Sequence, residues 1–433
     1  MKKIGLLIGI FFLAIEANSQ GLLTAKQAVE IALENNFEIK LSQNDLRIDQ
    51  ENVSRGNAGM LPTVTGNFSQ NNSLQNSSQV QSSGAERSLK NAKNNNMSYG
   101  VSIGWTIFDG LAMFSRYEQL QELQKQGEYE LKRTILTKVS DVISTYYTIV
   151  EQQNLLFAID SSINISNERL KTAENRFMIG KASRLEVLNV QVNLNEDESS
   201  RLRQLNVVEN LKINLNSLMA RDLSEEFDVE PSVEYDDSLL YDDLLDKARK
   251  YNPDLQIISI NKRISELQLK QTKSNRYPVV QLNTGYNFSE SESSLGFVSS
   301  SNSRGLNYGI TASVNIFDGF NQRRNERIGQ IQVKNADLMI QQQDLFVKTA
   351  MSTAYQTYQT NLSLARLEEN NADIARQNLN ITLEKYKIGT ISAVEFRDAQ
   401  ENFIEAIARF NSSRLQAKLS ELQLKEMIGN IDI

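Results

Sequence analysis

The chain says the same thing twice. Ala32, Asn36 and Pro62 recur as Ala248, Asn252 and Pro278, each 216 residues on. Further along, Phe108-Asp109-Gly110 recurs as Phe317-Asp318-Gly319, and Ile179-Gly180 as Ile388-Gly389, both at a step of 209. Leu218-Met219-Ala220 returns as Met427-Ile428-Gly429 at that same step. The seven-residue slippage between the two steps lies between the proline and the Phe-Asp-Gly, which marks a loop of variable length. A unit of roughly two hundred residues is far too large for a solenoid repeat, so this is a duplicated module.

Each copy reads helix, strand, loop, strand, helix, turn, helix. The first segment, about 24–60, places Val29, Ala32, Leu33 and Phe37 at helical spacing. Strands are expected at about 63–70 and 99–108, and again at about 279–288 and 308–317. In the clearest of them Val101, Ile103, Trp105 and Ile107 alternate with Ser102, Gly104 and Thr106. Between the first two strands, residues 71–96 are mostly Asn, Ser and Gln and read as a polar loop. Strands of about ten residues with one apolar and one small polar face fit a transmembrane barrel, with lipid outside and water inside. The competing reading is a soluble sheet with one buried face. The long flanking helices leave no layer to cover such a face, which favours the barrel. Four strands do not close, and lipid tolerates no unpaired edge, so several chains have to contribute. A trimer supplies twelve strands.

After each Phe-Asp-Gly the period becomes helical. Ile135, Val142, Ile149, Leu156, Ile163, Leu170 and Phe177 fall every seven residues, the seam of a coiled coil. From Phe108 to Gly180, and from Phe317 to Gly389, the interval is 72 residues in both copies, enough for a helix of roughly 100 Å. Four prolines in 433 residues suit helices of that length, because proline breaks a helix interior. Gly180 and Gly389 reverse the chain, and shorter helices over about 185–219 and 394–427 run partway back. The acidic stretch 221–246 joins the copies and reads as irregular structure around the waist of a helical tunnel.

Composition removes most alternatives. Cys and His are both absent, which excludes disulfide frameworks, Cys/His metal sites and Ser–His or Cys–His nucleophiles. Carboxylate-only catalysis or metal binding stays open, but nothing in the spacing calls for it, so the expectation is no enzyme, no cofactor and no bound metal. A net charge of −7 without a basic stripe gives no support to nucleic-acid binding. Residues 1–19 have the basic start (Lys2, Lys3), short apolar core and small residues (Ala17, Ser19) of a signal peptide, with Gln20 as the mature start. No later apolar run is long enough for a membrane-spanning helix. The domain reading is therefore a signal peptide (1–19), a first repeat (20–220), the acidic connector (221–246) and a second repeat (247–433).

Two hairpin turns complete the pattern, running Arg176-Phe-Met-Ile-Gly180-Lys-Ala-Ser-Arg-Leu-Glu186 and Lys385-Tyr-Lys-Ile-Gly389-Thr-Ile-Ser-Ala-Val-Glu395. With the duplicated order of elements and Ile-Phe-Asp-Gly at each strand-to-helix junction, they make essentially the whole mature chain resemble the TolC-like outer-membrane efflux family. The resemblance implies a homotrimer with a 12-stranded barrel in the outer membrane, continuous with a periplasmic α-helical coiled-coil barrel. It implies a passive exit duct of a tripartite efflux or type I secretion system, served by a periplasmic adaptor and an inner-membrane transporter. By position, Ile179, Gly180, Lys181, Ile388, Gly389 and Thr390 would be adaptor-docking tips. Glu395 and Asp398 would form the channel constriction, and Glu186 and Tyr386 would tether the gate. The family's resting lock also places an arginine two positions after the second glycine; Ile391 stands there instead. Read without the family, the three acids are equally at home on a solvated helix face. The rival architectures are an adaptor, which has a single helical hairpin flanked by lipoyl-like and β-barrel segments, and a coiled-coil stalk, which lacks the strand inserts.

Overall fold

The computed structural model describes residues 22–294 and 298–431, so the expected signal peptide and its cleavage site lie outside the described residues. In chain order the elements are β1 (Leu22–Leu23), α1 (Ala25–Asn35), α2 (Phe37–Asn52), β2 (Thr63–Val80), β3 (Glu86–Asp109), α3 (Ala112–Met178) and α4 (Arg184–Leu218). The second copy continues with β4 (Asp228–Val229), α5 (Tyr241–Tyr251), α6 (Pro253–Ser274), β5 (Val279–Ser293), β6 (Ser300–Ser313), α7 (Asn321–Ile388) and α8 (Ala393–Met427). Two compact units share the chain: a helical one (residues 1–41, 133–252 and 347–433) and a sheet-bearing one (42–132 and 253–346).

In the sheet unit, β2, β3, β5 and β6 form one antiparallel sheet in that order, with β2 and β6 at its edges. The apolar alternation predicts its membrane-height portion, but the strands run on well past it. Residues 71–96, expected as a loop, are the outer parts of β2 and β3, paired from Asn71↔Asn96 to Val80↔Glu86 around a turn at residues 81–85. The reason is physical: once both faces of a strand are wet, the period-2 signal vanishes, while the backbone ladder carries on through Asn, Ser and Gln. β6 ends at Ser313, short of the expected 317, because β5 begins at its partner Val279 and offers nothing beyond. The apolar face stays uncovered: Phe68 is 70 % and Ile310 69 % exposed.

Each strand-to-helix junction is built by its Phe-Asp-Gly. Asp109 Oδ1 accepts the Met113 amide (3.1 Å) and Asp318 Oδ2 accepts that of Gln322 (2.6 Å), capping α3 and α7. Gly110 and Gly319 take left-handed backbone (φ +69° and +68°).

In the helical unit, α3 and α7 contribute the long arms of two hairpins. The full helices hold 67 and 68 residues, each about 100 Å long. The returning helices α4 and α8 hold 35 residues apiece. The expected single helix over 24–60 is two helices and a run of turns, because Asn36 ends one helix and starts the next. Its side chain accepts the Glu38 and Ile39 amides and donates to Leu218 O at the end of α4 (2.8 Å). Its duplicate, Asn252, donates to Met427 O at the end of α8 (2.9 Å). The repeated residues thus meet one another: the asparagine of each copy satisfies a last-turn carbonyl of that copy's returning helix.

The principal core packs Val29 and Ala32 of α1 against Val142, Tyr146 and Ile149 of α3 and Leu215 of α4, with Phe227 of the connector. The connector carries no regular structure beyond β4, which pairs in parallel with β1, until α5 begins at Tyr241. Side chains hold it in place. Tyr146 Oη accepts the Glu230 amide, Arg414 donates to Val233 O, Tyr358 Oη donates to Asp236 O, and Glu421 accepts the Asp236 amide. Burial pushes the Tyr358 phenol up to about 12.

Candidate functional site at the helical hairpin tips

Both hairpins turn by the same backbone device. Gly180 (φ +72°) donates to Phe177 O at 2.9 Å while the Lys181 amide reaches Arg176 O at 2.8 Å; Gly389 (φ +82°) and Thr390 repeat this with Tyr386 O and Lys385 O, both at 3.0 Å. This double closure satisfies carbonyls of the last helical turn, and its left-handed position is why glycine stands there. Ser183 and Ser392 then cap the returning helices by accepting the amides of Glu186 and Glu395. The tips are apolar and open: Ile179 is 67 % and Ile388 75 % exposed, with Gly180, Lys181, Gly389 and Thr390 exposed beside them.

The acids divide by environment. Glu395 and Asp398 are both exposed on the first turns of α8, three residues apart and so on one helix face. Glu395 also has local work, since its carboxylate completes the capping box by accepting the Ser392 amide (3.4 Å). Glu186 is half-buried in the first turn of α4, near enough to Tyr386 to oppose ionisation of the phenol. No hydrogen bond joins those two, for the Tyr386 hydroxyl has no hydrogen-bond partner. Tyr386 itself is buried (1 % exposed), packed with Leu379 and Phe396 and against half-buried Ile391. Burial pushes its phenol pKa up, and the neighbouring Arg169 guanidinium works the other way.

Two arginines of the other hairpin face Tyr386. Arg176 of α3 lies over the Tyr386 ring (4.9 Å from the centroid) and donates to the carbonyls of Tyr386 and Lys387. These belong to the last turn of α7, where a cation also complements the helix dipole. Arg169, 3 % exposed, sits beside the rings of Tyr386 (5.8 Å) and Phe396 (5.4 Å) and donates to Ala393 O at 3.0 Å. Burial lowers its pKa, opposed by Tyr386.

Further from the tips a buried polar chain joins the hairpins again. Gln400 of α8 is fully buried, and its Nε2, with two hydrogens to share, lies within hydrogen-bond distance of Ser162 O (3.1 Å) and of the hydroxyls of Ser162 (2.6 Å) and Ser166 (2.8 Å). Ser166 donates to Asp197 Oδ2 of α4 (2.6 Å), and Arg397 Nη1 of α8 reaches Asp197 Oδ1 (2.7 Å). Burial opposes the Arg397 charge, but hydrogen bonds to Asp197 and Glu401 prevail and its pKa rises. Gln400 Oε1 is left buried without a hydrogen-bond partner, but the remaining bonds tie α3, α4 and α8 to one another.

Sequence reasoning passed over this cluster. The seven-residue seam is buried at Val142 and Ile149, yet by Phe177 it is 41 % exposed. A helix of 3.6 residues per turn drifts ~20° per heptad, so over five heptads the buried line moves by about 100°. Near the tips it passes instead through Ser162, Ser166, Arg169 and Ala173, all buried. That i, i+4, i+3, i+4 spacing was the available signal. The pairing of Asp197 with Arg397, two hundred positions apart, had none.

Among the described residues no helix is long and apolar enough to cross a membrane, and no group of three or more acidic side chains is arranged to hold a metal ion. The sequence matches the model of the outer membrane efflux protein family over residues 28–221 and 244–430. A comparison with curated protein sequences finds no match. Among solved structures the fold is similar to that of CusC, at 14 % identity and a TM-score of 0.74, covering 94 % of this chain and 92 % of that one. It is also similar to the outer membrane protein VceC of Vibrio cholerae (14 %, TM-score 0.72, 94 % and 96 % covered). The open state of the MtrE outer membrane channel of Neisseria gonorrhoeae is a third (14 %, TM-score 0.71, 94 % and 89 % covered). The duplicated fold agrees with the family model over both copies, and the chain therefore belongs to the outer membrane efflux protein family: it is an outer-membrane exit duct reaching into the periplasm.

Proposed function

We propose that this duct works as a homotrimer, receiving its cargo from an inner-membrane transporter through a periplasmic adaptor that docks on the hairpin tips. The observation that carries the trimer is the sheet: four antiparallel strands with an uncovered apolar face and with β2 and β6 pairing inward only. In lipid those edges have to be paired, and three copies joined β6 to β2 give a closed barrel of twelve strands. The duct does no chemistry. Docking is assigned to Ile179, Gly180, Lys181, Ile388, Gly389 and Thr390, an exposed patch with small residues that let a partner helix approach. Glu395 and Asp398 would gather six carboxylates from three chains into a constriction that favours cations. Tyr386, with Glu186 beside it, would hold the second hairpin in the closed arrangement, and Arg169 and Arg176 are the cations that hold Tyr386.

Native mass spectrometry of protein extracted from outer-membrane fractions tests the assembly. A heat- or detergent-resistant trimer is expected; a soluble monomer would overturn the architecture.

A further inference from the structure

The strand registers sort the sheet into two faces of very different chemistry. One carries Phe68, Tyr99, Ile103, Leu282, Tyr286 and Ile310, and every charged side chain that lies at membrane height or just beyond it: Lys93, Glu290, Glu292 and Arg304. At membrane height the other face has none, its first charges in register being Asp109, opposite Val279, and Arg87, opposite Gln79. Along β2 it presents the residues at 63, 65, 67, 69, 71 and 73; along β3 the even positions 94–106; along β5 the odd positions 281–293; along β6 the odd positions 301–313. Every one is Thr, Ser, Asn, Gln or Gly. Their polar groups bond to one another: Thr65 Oγ1 with Ser102 Oγ (2.7 Å), Ser291 Oγ to Asn96 Oδ1 and Ser293 Oγ to Asn94 Oδ1 (both 2.6 Å). Midway, Thr65, Ser102, Asn283, Asn287, Asn307 and Gly309 border a shallow hollow of about 420 Å³.

On the reading that this sheet closes with its copies around water, we infer that the barrel wall is a charge-blind exit: it passes anionic, cationic and neutral polar solutes alike. Charge discrimination by this duct then lies entirely outside the barrel. The physics is direct. A pore selects by charge through rings of ionised side chains, and fixed charges further than a Debye length of about 8 Å are screened at physiological salt. Over these positions a wall of amides and hydroxyls replaces hydration hydrogen bonds for either sign of solute. Whatever leaves the helical tunnel therefore meets no second electrostatic filter.

The absence of cysteine from the chain makes the test clean. Asn283→Cys and, separately, Thr311→Cys would be made in the full-length protein, with Ile103→Cys on the apolar face for reference. Each is reconstituted in liposomes and treated with trimethylammonioethyl and sulfonatoethyl methanethiosulfonate. Rates are taken relative to those of the same reagents with a free small thiol. The cation-to-anion ratio is expected to stay within about twofold of unity at both luminal positions, whereas a charged passage shifts such rates by tenfold or more. A ratio beyond fivefold at both positions would overturn the charge-blind wall and leave the barrel reading standing. If instead Ile103→Cys reacts and both luminal cysteines are silent, the barrel reading itself is wrong and this inference goes with it. Two luminal variants guard against the misfolding of one.

Discussion

The two copies of the module share their geometry and differ in their chemistry. Both hairpins have arms of nearly equal length, the same glycine closure and the same serine cap. At the 209-residue step, however, most of the residues that bind the hairpins together have no counterpart of their own kind, although Gln400 falls on Gln191 and Arg176 on Lys385. Asp197 corresponds to Ala406, Arg397 to Leu188, Tyr386 to Phe177, Arg169 to Asn378 and Ser166 to Ala375. The exposed Asp398 corresponds to Asn189, while Glu395 and Glu186 are matched. The Arg397–Asp197 bond thus joins two positions whose counterparts, Leu188 and Ala406, have no group to form it. The lesson is that duplication preserves what the backbone needs, and divergence supplies what holds two like hairpins in one fixed arrangement. A pair of identical hairpins would have no means of distinguishing the two roles.

The largest effect is expected at the tips, where even the shared glycines differ. A Cβ on Gly389 would sit 3.2 Å from Arg176 Nη2, whereas one on Gly180 meets nothing within 4 Å. Gly389→Asp should abolish export with trimer yield unchanged, and Gly180→Asp should impair it less. Equal loss in an export assay would mean that the glycines act only as turns and that their surroundings are irrelevant.

Next comes the Asp197–Arg397 pair. Asp197→Ala leaves Arg397 with Glu401 and Glu196 and should cost about 3 kcal/mol in urea unfolding of the helices, the low end for breaking a buried pair. Adding Arg397→Leu installs the residues that the opposite copies already use, and should restore most of that loss, since an apolar replacement of a buried ion pair is often neutral. Failure of the double variant to recover would show that the apolar arrangement does not transfer between the copies.

A moderate effect is expected in planar-bilayer recordings. Wild type should prefer cations and be blocked by a trivalent cation from the periplasmic side. Glu395→Ala combined with Asp398→Ala should remove the block and lower the preference, while Glu186→Ala should leave the block in place. An unchanged block in the double variant would move the constriction elsewhere.

The smallest effect concerns the sheet-bearing unit, where the asymmetry recurs. Arg276 and Glu326 form an ion pair (Nη2 to Oε2, 2.7 Å), and the corresponding first-copy positions hold Met60 and Tyr117. Hydrogen bonding to Arg276 holds the Glu326 carboxyl below its ordinary range. A depressed carboxylate pKa contributes stability above the unfolded value, about pH 4–5, which is lost as pH falls through the folded one. Glu326→Gln should therefore lower stability slightly at neutral pH, where the paired carboxylate contributes, and lose less than wild type as pH falls below about 4.5. A circular-dichroism acid titration identical to wild type would remove this pair from the account.

The amino-acid order by itself determined the duplication, the long helices and their turns, the amphipathic strands and the need for further chains. Each is a local or periodic property: glycine where the backbone turns left-handed, alternation where one strand face meets lipid, apolar spacing where a helix packs. Even the divergent positions can be read off by aligning the two copies, but not what they touch. That Arg169 and Arg176 pack against Tyr386, that Asp197 meets Arg397, and that a strand continues where its alternation has ended, only the tertiary structure decided. These depend on which faces of four separate helices meet after the seam has drifted, and on a partner strand supplying a ladder. Both are contacts between distant residues that leave no periodicity along the chain.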